Sequence, residues 1–356
     1  MVVRRTFFGV LVFLLTSITL SLAQAPCDRH IIAIGGSSFR MEPYNLLIDR
    51  YILKVTGKDH PRIGFIGAAS QDNSKDIEAF YKAYQKLGAI PSHFETHDQS
   101  SLKAFRDFLD DLDVVFVGGG NTLRMMELWR RLGFDQELKD AHDGGLILAG
   151  VSAGGICWFC EGISDSNGPL SVVKGLGILK GSFAPHSDWD KERAPSLVES
   201  LAMRKTSPPG YAVDDHVALH FVNGQLKRAL SSHIDKRVHY FLPGGHLTAF
   251  PKPFIHLSLS NGFIVREASR NDVISARLFL NRSLPGAKNI FDELFDGDIH
   301  QMIVAVEAHT IVGVAQIVKR EKGYTILSYA VDNNEEIETA LRETATARAE
   351  IFGIPL

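Results

Sequence analysis

Leu146-Ile-Leu-Ala-Gly150-Val151-Ser152-Ala153-Gly154 reads as a buried strand that runs straight into a tight turn and a helix. Gly150 to Gly154 spell G-x-S-x-G, and the chemistry of that turn explains its composition. A sharp strand-to-helix turn forces the serine into a strained backbone conformation, so its neighbours must be small. The turn lifts the hydroxyl clear of the sheet, while the following amides face any negative charge that develops there. Ser152 is thus a candidate nucleophile.

Outward from this turn, Ile31–Ile34, Arg62–Ile66, Val114–Val117 and Leu146–Val151 read as short buried strands ending near glycine. Helical patterns separate them. Ile77, Phe80, Tyr81 and Tyr84 fall on one helical face, with Ser74 as N-cap and Gly88 as the stop. Gly118-Gly-Gly-Asn121 leads into a helix carrying Leu123, Met126 and Trp129 or Arg130. The alternation predicts an α/β fold with a mostly parallel sheet and helices on both faces. Ligands in such folds bind beyond the carboxyl ends of the strands, where both Ser152 and the Gly118–Asn121 turn lie.

At the amino end, Arg4 and Arg5 precede an apolar run from Phe7 to Leu22 and small residues at Ala23 and Ala25. This is the layout of a cleaved signal peptide, with the cut expected after Ala23 because Pro26 disfavours Ala25. The expected location is secreted or periplasmic, with no membrane association after cleavage. Turn-formers crowd residues 243–262 and mark a change of pattern. We therefore divide the chain into a leader at 1–23, a first domain at 24–260 and a smaller α+β domain at 261–356. The second follows the order strand, helix, hairpin of Met302–Val306 and Ile311–Val318, strand, helix.

The formal charge of −3 over 356 residues, with no dense basic block, gives no footprint for nucleic acid and favours a small peptide or other small molecule as substrate. Only Cys27, Cys157 and Cys160 are present, so no disulfide framework exists, and Cys157 and Cys160 read as buried small side chains. His216-Val-Ala-Leu-His220 has the residue types of a zinc pair, but in a strand residues four apart stand ~13 Å from each other. One zinc with ~2 Å bonds cannot span them. Neither metal nor cofactor is expected.

A nucleophilic serine needs a base, and the base an orienting carboxylate. His186, in Ala184-Pro-His-Ser-Asp188, and Asp165, in Ile163-Ser-Asp-Ser-Asn-Gly168, are downstream candidates. A loop histidine is usually a surface residue, and Asp before Ser-Asn-Gly usually a turn residue. Phe116-Val-Gly-Gly-Gly-Asn-Thr122, Ala149-Gly-Val-Ser-Ala-Gly154, Pro185-His186 and Gly210-Tyr-Ala-Val-Asp-Asp215, in this order, resemble the peptidase E (aspartyl dipeptidase) family, related to cyanophycinases. The likeness covers about residues 29–245.

The resemblance implies a flavodoxin-like, glutamine-amidotransferase-like sheet carrying a Ser–His–acid triad. By position in the motifs, Ser152 is the nucleophile, His186 the base and Asp165 the acid, with Glu192 the less favoured alternative. Backbone amides of Ala153 and of Gly119 or Gly120 would form the oxyanion hole, because bare backbone can approach a reacting carbonyl closely. The same Gly-rich turn could cradle a phosphate, but no Walker lysine follows it. Asn121 belongs to the substrate-binding set, and Arg193 occupies the place of an arginine that binds an N-terminal aspartate side chain. The implied activity is hydrolysis of short Asp-X peptides. Two other readings are a cyanophycinase-like hydrolase of aspartyl polymers and a secreted, non-catalytic binding protein on the same fold.

Phe263–Ala268, Asn271–Val273, Val304–Glu307 and Ile311–Ala315 resemble the first half of a GNAT-type acetyltransferase. Such enzymes hold coenzyme A pyrophosphate on a Gly-rich turn. Here Asp332-Asn-Asn-Glu-Glu336 stands in that place and the sequence stops at Leu356, so the implied domain is truncated and has lost acetyl transfer. Ile303, Val306, Ile311 and Val314 are expected to pack against the first domain or a second subunit in a homodimer.

Overall fold

A computed structural model describes residues 28–355 except 98, 204–208, 234, 258–262, 269–271, 284–301, 308–309, 321–322, 331–333 and 352–353. The expected leader at 1–23 and the boundary at 260/261 therefore lie outside the described residues.

The chain is α/β, as its alternation predicts. Five parallel strands form the heart of the first sheet: β1 (His30–Ile34), β2 (Arg62–Ile66), β3 (Ile90–Phe94), β4 (Val114–Val117) and β5 (Ile147–Val151). Each of β1, β4 and β5 is apolar along its length because both faces are covered. Helices α1 (Leu47–Val55), α2 (Ser74–Lys86), α3 (Leu102–Asp110), α4 (Thr122–Leu132) and α5 (Phe134–Asp143) supply that cover. One layer gathers Phe105, Trp129, Phe134 and Leu148; the other gathers Ile52, Phe80, Tyr84 and Phe116. The cap of α2 is Asn73, whose side chain accepts from the Lys75 amide, and Ser74 is the first helical residue. On α4, Trp129 is the buried member of the pair with Arg130.

A short helix, α6 (Ala153–Ile156), follows β5 and opens a second sheet, which the sequence pattern did not indicate. Its strands are β6 (Phe159–Ser164), β7 (Ser171–Lys174), β8 (Leu179–Ala184), β9 (Gly210–Val213), β12 (Val238–Leu242) and β13 (His246–Thr248). Helix α7 (Arg193–Ala202) packs on it through Leu197 and Leu201. The first sheet is meanwhile extended beyond β1 by β10 (Val217–Val222), β11 (Gln225–Ser231) and β14 (Phe254–His256), giving eight strands. The turn-rich stretch 243–257 thus still belongs to these sheets. Cys157 is buried as expected, but Cys160 on β6 is exposed.

A third, antiparallel sheet joins β15 (Phe263–Glu267), β16 (Met302–Glu307), β17 (Thr310–Arg320) and β18 (Gly323–Ala330). Helices α8 (Asp272–Ser283) and α9 (Glu335–Ile351) cover its two faces. Ile303 packs with Leu341 and Ala345 of α9, while Val306, Ile311 and Val314 pack with Leu280 of α8. Val306, Ile311 and Val314 thus pack within the C-terminal layers, while the cluster that holds Ile303 also takes Tyr44 from the first domain. Asn334 caps α9, its Oδ1 accepting from the Glu336 and Ile337 amides; Asp332 and Asn333 lie outside the described residues.

Candidate active site

Ser152 stands at the carboxyl end of β5 with φ 56° and ψ −112°, the strained geometry its small neighbours permit. A Cβ added at Gly150 would lie 2.3 Å from the Gly154 carbonyl, and one at Gly154 2.1 Å from that of Val117. No side chain fits at either place, which is why the serine is bracketed by glycine.

The second sheet delivers the partners. β8 and β9 run parallel with Ala184 opposite Ala212, so the residues just beyond their ends emerge side by side. His186 follows β8 and Asp215 follows β9. His186 Nε2 lies 2.8 Å from Ser152 Oγ, and its Nδ1 lies 2.6 Å from Asp215 Oδ1. With Nδ1 carrying the proton and donating to the carboxylate, Nε2 is left to accept from the serine hydroxyl. Gly36, bridged to Asp215, lets this bond form: a Cβ there would sit 1.9 Å from Asp215 Oδ1 and 2.3 Å from His186 Nδ1.

A further set of carboxylates fixes the two segments. Asp188 Oδ1 accepts from the Asp215 amide at 3.0 Å, and its Oδ2 takes the Lys236 ammonium at 2.5 Å. Burial would raise the Asp188 carboxyl, but the Lys236 ammonium and the backbone amides bonded to it together outweigh that and hold the group below its ordinary range. Asp214 accepts from Ser187 Oγ at 2.6 Å and from the Arg237 amide at 2.7 Å. The imidazole thus has its orientation set through the backbone on either side of it.

A cleft of about 360 Å³ opens over Ser152 and His186, with Arg40, Phe65, Gly119 and Ile351 among its walls. Ile351 comes from α9, so the C-terminal unit borders the cleft. Arg40 forms an ion pair with Asp76 there. A larger depression of about 710 Å³ lies at the amino ends of β1, β4 and β5, around His30, Asp113 and Ile147, away from this serine.

Residues 31–229 match peptidase family S51. The chain belongs to that family. It is 42% identical over 230 residues to the uncharacterized peptidase YgaJ of Bacillus subtilis (strain 168), covering 64% of this chain and 99% of that protein. A putative peptidase E protein from Listeria monocytogenes EGD-e is similar in structure at 18% identity and a TM-score of 0.43, over 56% of this chain and 97% of that one. A peptidase from an acI-B1 Actinobacterium gives 16% identity and a TM-score of 0.48, over 62% and 93%. The molecule is a peptidase.

Several residues of this S51 chain stand elsewhere than the sequence suggested. Asp165 does not reach His186; it is largely exposed and pairs with Arg193 at 3.2 Å. Glu192 is exposed at the start of α7, its amide bonded to Asp190 Oδ1. Arg193 is not open to a substrate, because its side chain is 4% exposed and fully engaged. Its Nε donates to Asp190 at 2.8 Å and its Nη1 to the Ile163 carbonyl at 3.0 Å, while Nη2 faces Asp165. This arginine fastens α7 to the end of β6. Asn121 caps α4 by accepting from the Arg124 amide and donates to the Ser166 carbonyl, so it is committed to the fold.

The backbone candidates divide. Gly119 lies against the serine, a Cβ there falling 3.3 Å from Ser152 Cβ, and Ala153 is buried directly after it. Gly120 lines the same cleft, but its φ of 134° and its close approach to the Ala69 carbonyl serve the turn. Asp215, Asp188, Asp214 and Lys236 were missed. The one signal for Asp215 was the Gly210–Asp215 segment itself.

Proposed function

We propose that this S51 member is a serine peptidase acting on short peptides, with Ser152, His186 and Asp215 as its triad. The observation that carries this reading is the unbroken Ser152–His186–Asp215 hydrogen-bonded series built on a strained serine. Ser152 Oγ attacks the scissile carbonyl as its proton passes to His186 Nε2, and Asp215 stabilises the resulting imidazolium. The amides of Gly119 and Ala153 receive the oxyanion. The imidazolium then protonates the leaving amine, and a water deprotonated by Nε2 releases the acyl group.

Short Asp-X peptides are the preferred substrates in this reading. With Arg193 sequestered, Arg40 lines the cleft beside its partner Asp76, and a substrate carboxylate would share its planar fork with that residue. The Arg4–Ala25 pattern supports export, and the carboxylates around Glu335 support a C-terminal unit without acetyl-transfer activity. A dipeptide panel with wild type and Ser152→Ala tests the mechanism: the variant should lose about 10⁴-fold or more in kcat and all labelling by a fluorophosphonate. Near-wild-type turnover in Ser152→Ala would overturn it.

A further inference from the structure

Two histidines that the peptidase mechanism leaves unused meet a glutamate in the interior. Glu42 follows β1, His216 comes directly after Asp215, and His233 lies just past the end of β11; the three are 1%, 5% and 1% exposed. The geometry excludes the pairing suggested by spacing alone, since His220 turns to His30 Nδ1 at 3.0 Å and Tyr51 Oη at 2.8 Å. His216 instead shares Glu42 with His233. His216 Nδ1 is 3.4 Å and His233 Nε2 3.2 Å from the same Glu42 Oε2. In a tetrahedral site with bonds of ~2.0–2.1 Å, neighbouring ligand atoms stand about 3.3 Å apart.

The donor set suits the same occupant. Two imidazole nitrogens and a carboxylate oxygen are ligand types that an ion of the zinc class takes, and the three groups bring their donor atoms together. Arg266 has Asp272 at 2.6 Å and Lys236 has Asp188 at 2.5 Å, while Arg348 has Glu267 at 2.8 Å and places its Nη1 4.0 Å from Glu42 Oε1, leaving Oε2 to face the two histidines. Glu42 is further held by Asn45 Nδ2 at 2.7 Å and by the Glu267 amide at 2.6 Å, the outer contacts expected of an oriented ligand.

A second observation is independent of the three ligands. A small cavity of about 20 Å³ adjoins Glu42 and His216, room for one water. Ser37 Oγ and Asn45 Oδ1 belong to two of its wall residues, each 7% exposed, and neither atom has a hydrogen-bond partner among the described residues. Such orphaned polar atoms require an occupant that offers them hydrogen bonds.

We infer that Glu42, His216 and His233 bind a divalent metal ion of the zinc class, with a water in the adjoining cavity as fourth ligand. That water would donate to Asn45 Oδ1 and meet Ser37 Oγ. The site is closed, so its role is structural. It ties the loop after β1, the segment carrying Asp215 and the end of β11 to the C-terminal sheet through the Glu267 amide.

Because folding closes the site, the full chain should be refolded with and without zinc or cobalt, desalted and assayed for metal content. Wild type should retain about one equivalent. Its cobalt form should show the visible absorption of a four-coordinate N/O site, and a strong chelator present during refolding should lower its Tm. His233→Gln and Glu42→Gln should retain at least tenfold less metal, and His220→Gln should match wild type. Wild type that stays metal-free, or holds no more than His233→Gln, overturns the inference and leaves a hydrogen-bonded cluster around a water. If the variants fail to fold, wild-type metal content, the cobalt spectrum and the chelator-dependent Tm decide by themselves.

Discussion

Two aspartates, Asp165 and Asp215, occupy opposite kinds of surroundings. Asp165 sits in the polar turn after β6 with its side chain 66% exposed, and its partner is Arg193. Asp215 sits where the two large sheets meet, 10% exposed, with the His186 imidazole against one oxygen and Asp188 holding its backbone amide. The first lies between Ser152 and His186 in the sequence; the second lies beyond both. What separates them is the pairing of β8 with β9, which carries a distant segment alongside the histidine. An acid's position in space, not its order along the chain, decides whether it can orient a base.

Breaking each aspartate in turn gives the largest expected contrast. Asp215→Asn should lower kcat by about 10⁴-fold, because an amide that donates to Nδ1 stabilises the wrong tautomer. Asp165→Asn should stay within about threefold of wild type. Steady-state kinetics on a short peptide checks both, and comparable losses in the two variants would refute the assignment of Asp215.

Arg193, the partner of Asp165, sharpens the contrast on the side of stability. Arg193→Met leaves Asp190 without its cation and the Ile163 carbonyl without a donor, a loss of about 2–3 kcal/mol once the exposure of Asp165 is allowed for. Denaturant unfolding should show that loss, while the ratio of Asp-X to Leu-X turnover in the folded variant stays at the wild-type value. A collapse of that ratio would return Arg193 to substrate binding.

Asp49 extends the comparison to a buried carboxyl whose side-chain partner is a neutral hydroxyl. Burial raises its pKa to about 6 from 3.8, against the hydrogen bond from Tyr84 Oη at 2.8 Å. The folded state therefore holds this proton more tightly than the unfolded chain. Its contribution is fully present below about pH 4 and is lost as pH rises through about 6. Asp49→Asn should accordingly be the more stable protein at pH 8, by about 3 kcal/mol. The gap should close below pH 4, as thermal melts across that range would reveal.

The smallest expected effect is at the cleft wall. Ile351→Ala removes three carbons from the side that α9 supplies, and should raise kcat/KM for tripeptides relative to dipeptides by about two- to tenfold. An unchanged length preference would mean that Ile351 does not touch substrate.

Ser152 was legible because its signal is local: a strand followed by G-x-S-x-G dictates its own turn. His186 was not legible in that way, since a histidine in a loop reads as a surface residue, and only the resemblance of Pro185-His186 to a family motif pointed to it. The parallel α/β layers were legible too, since strands buried on both faces are apolar throughout, as Val114–Val117 shows. The second sheet was not. Its strands are interrupted by Gly162 and Gly181 or are mostly exposed, as Ser171–Lys174 is, and they lack the apolar runs that betray the first. Asp215 was hidden for the same reason: its role follows from the Ala184–Ala212 register, a long-range pairing that no local pattern encodes. Arg193 misled because helix position and charge do not tell which way a guanidinium points.

The presence of Ile351 in the wall of the cleft also gives the molecule an order of events during synthesis. The last strand of the first sheet ends at His256, and every residue of the Ser152–His186–Asp215 series precedes it. At about 5–20 residues per second, a ribosome needs roughly 5–20 s to add the stretch from His256 to Ile351. Through that interval a growing chain can hold the Ser152–His186–Asp215 series while one side of the cleft has yet to be translated. On the mechanism proposed above, the wall that would select a substrate is added after the groups that would cleave it.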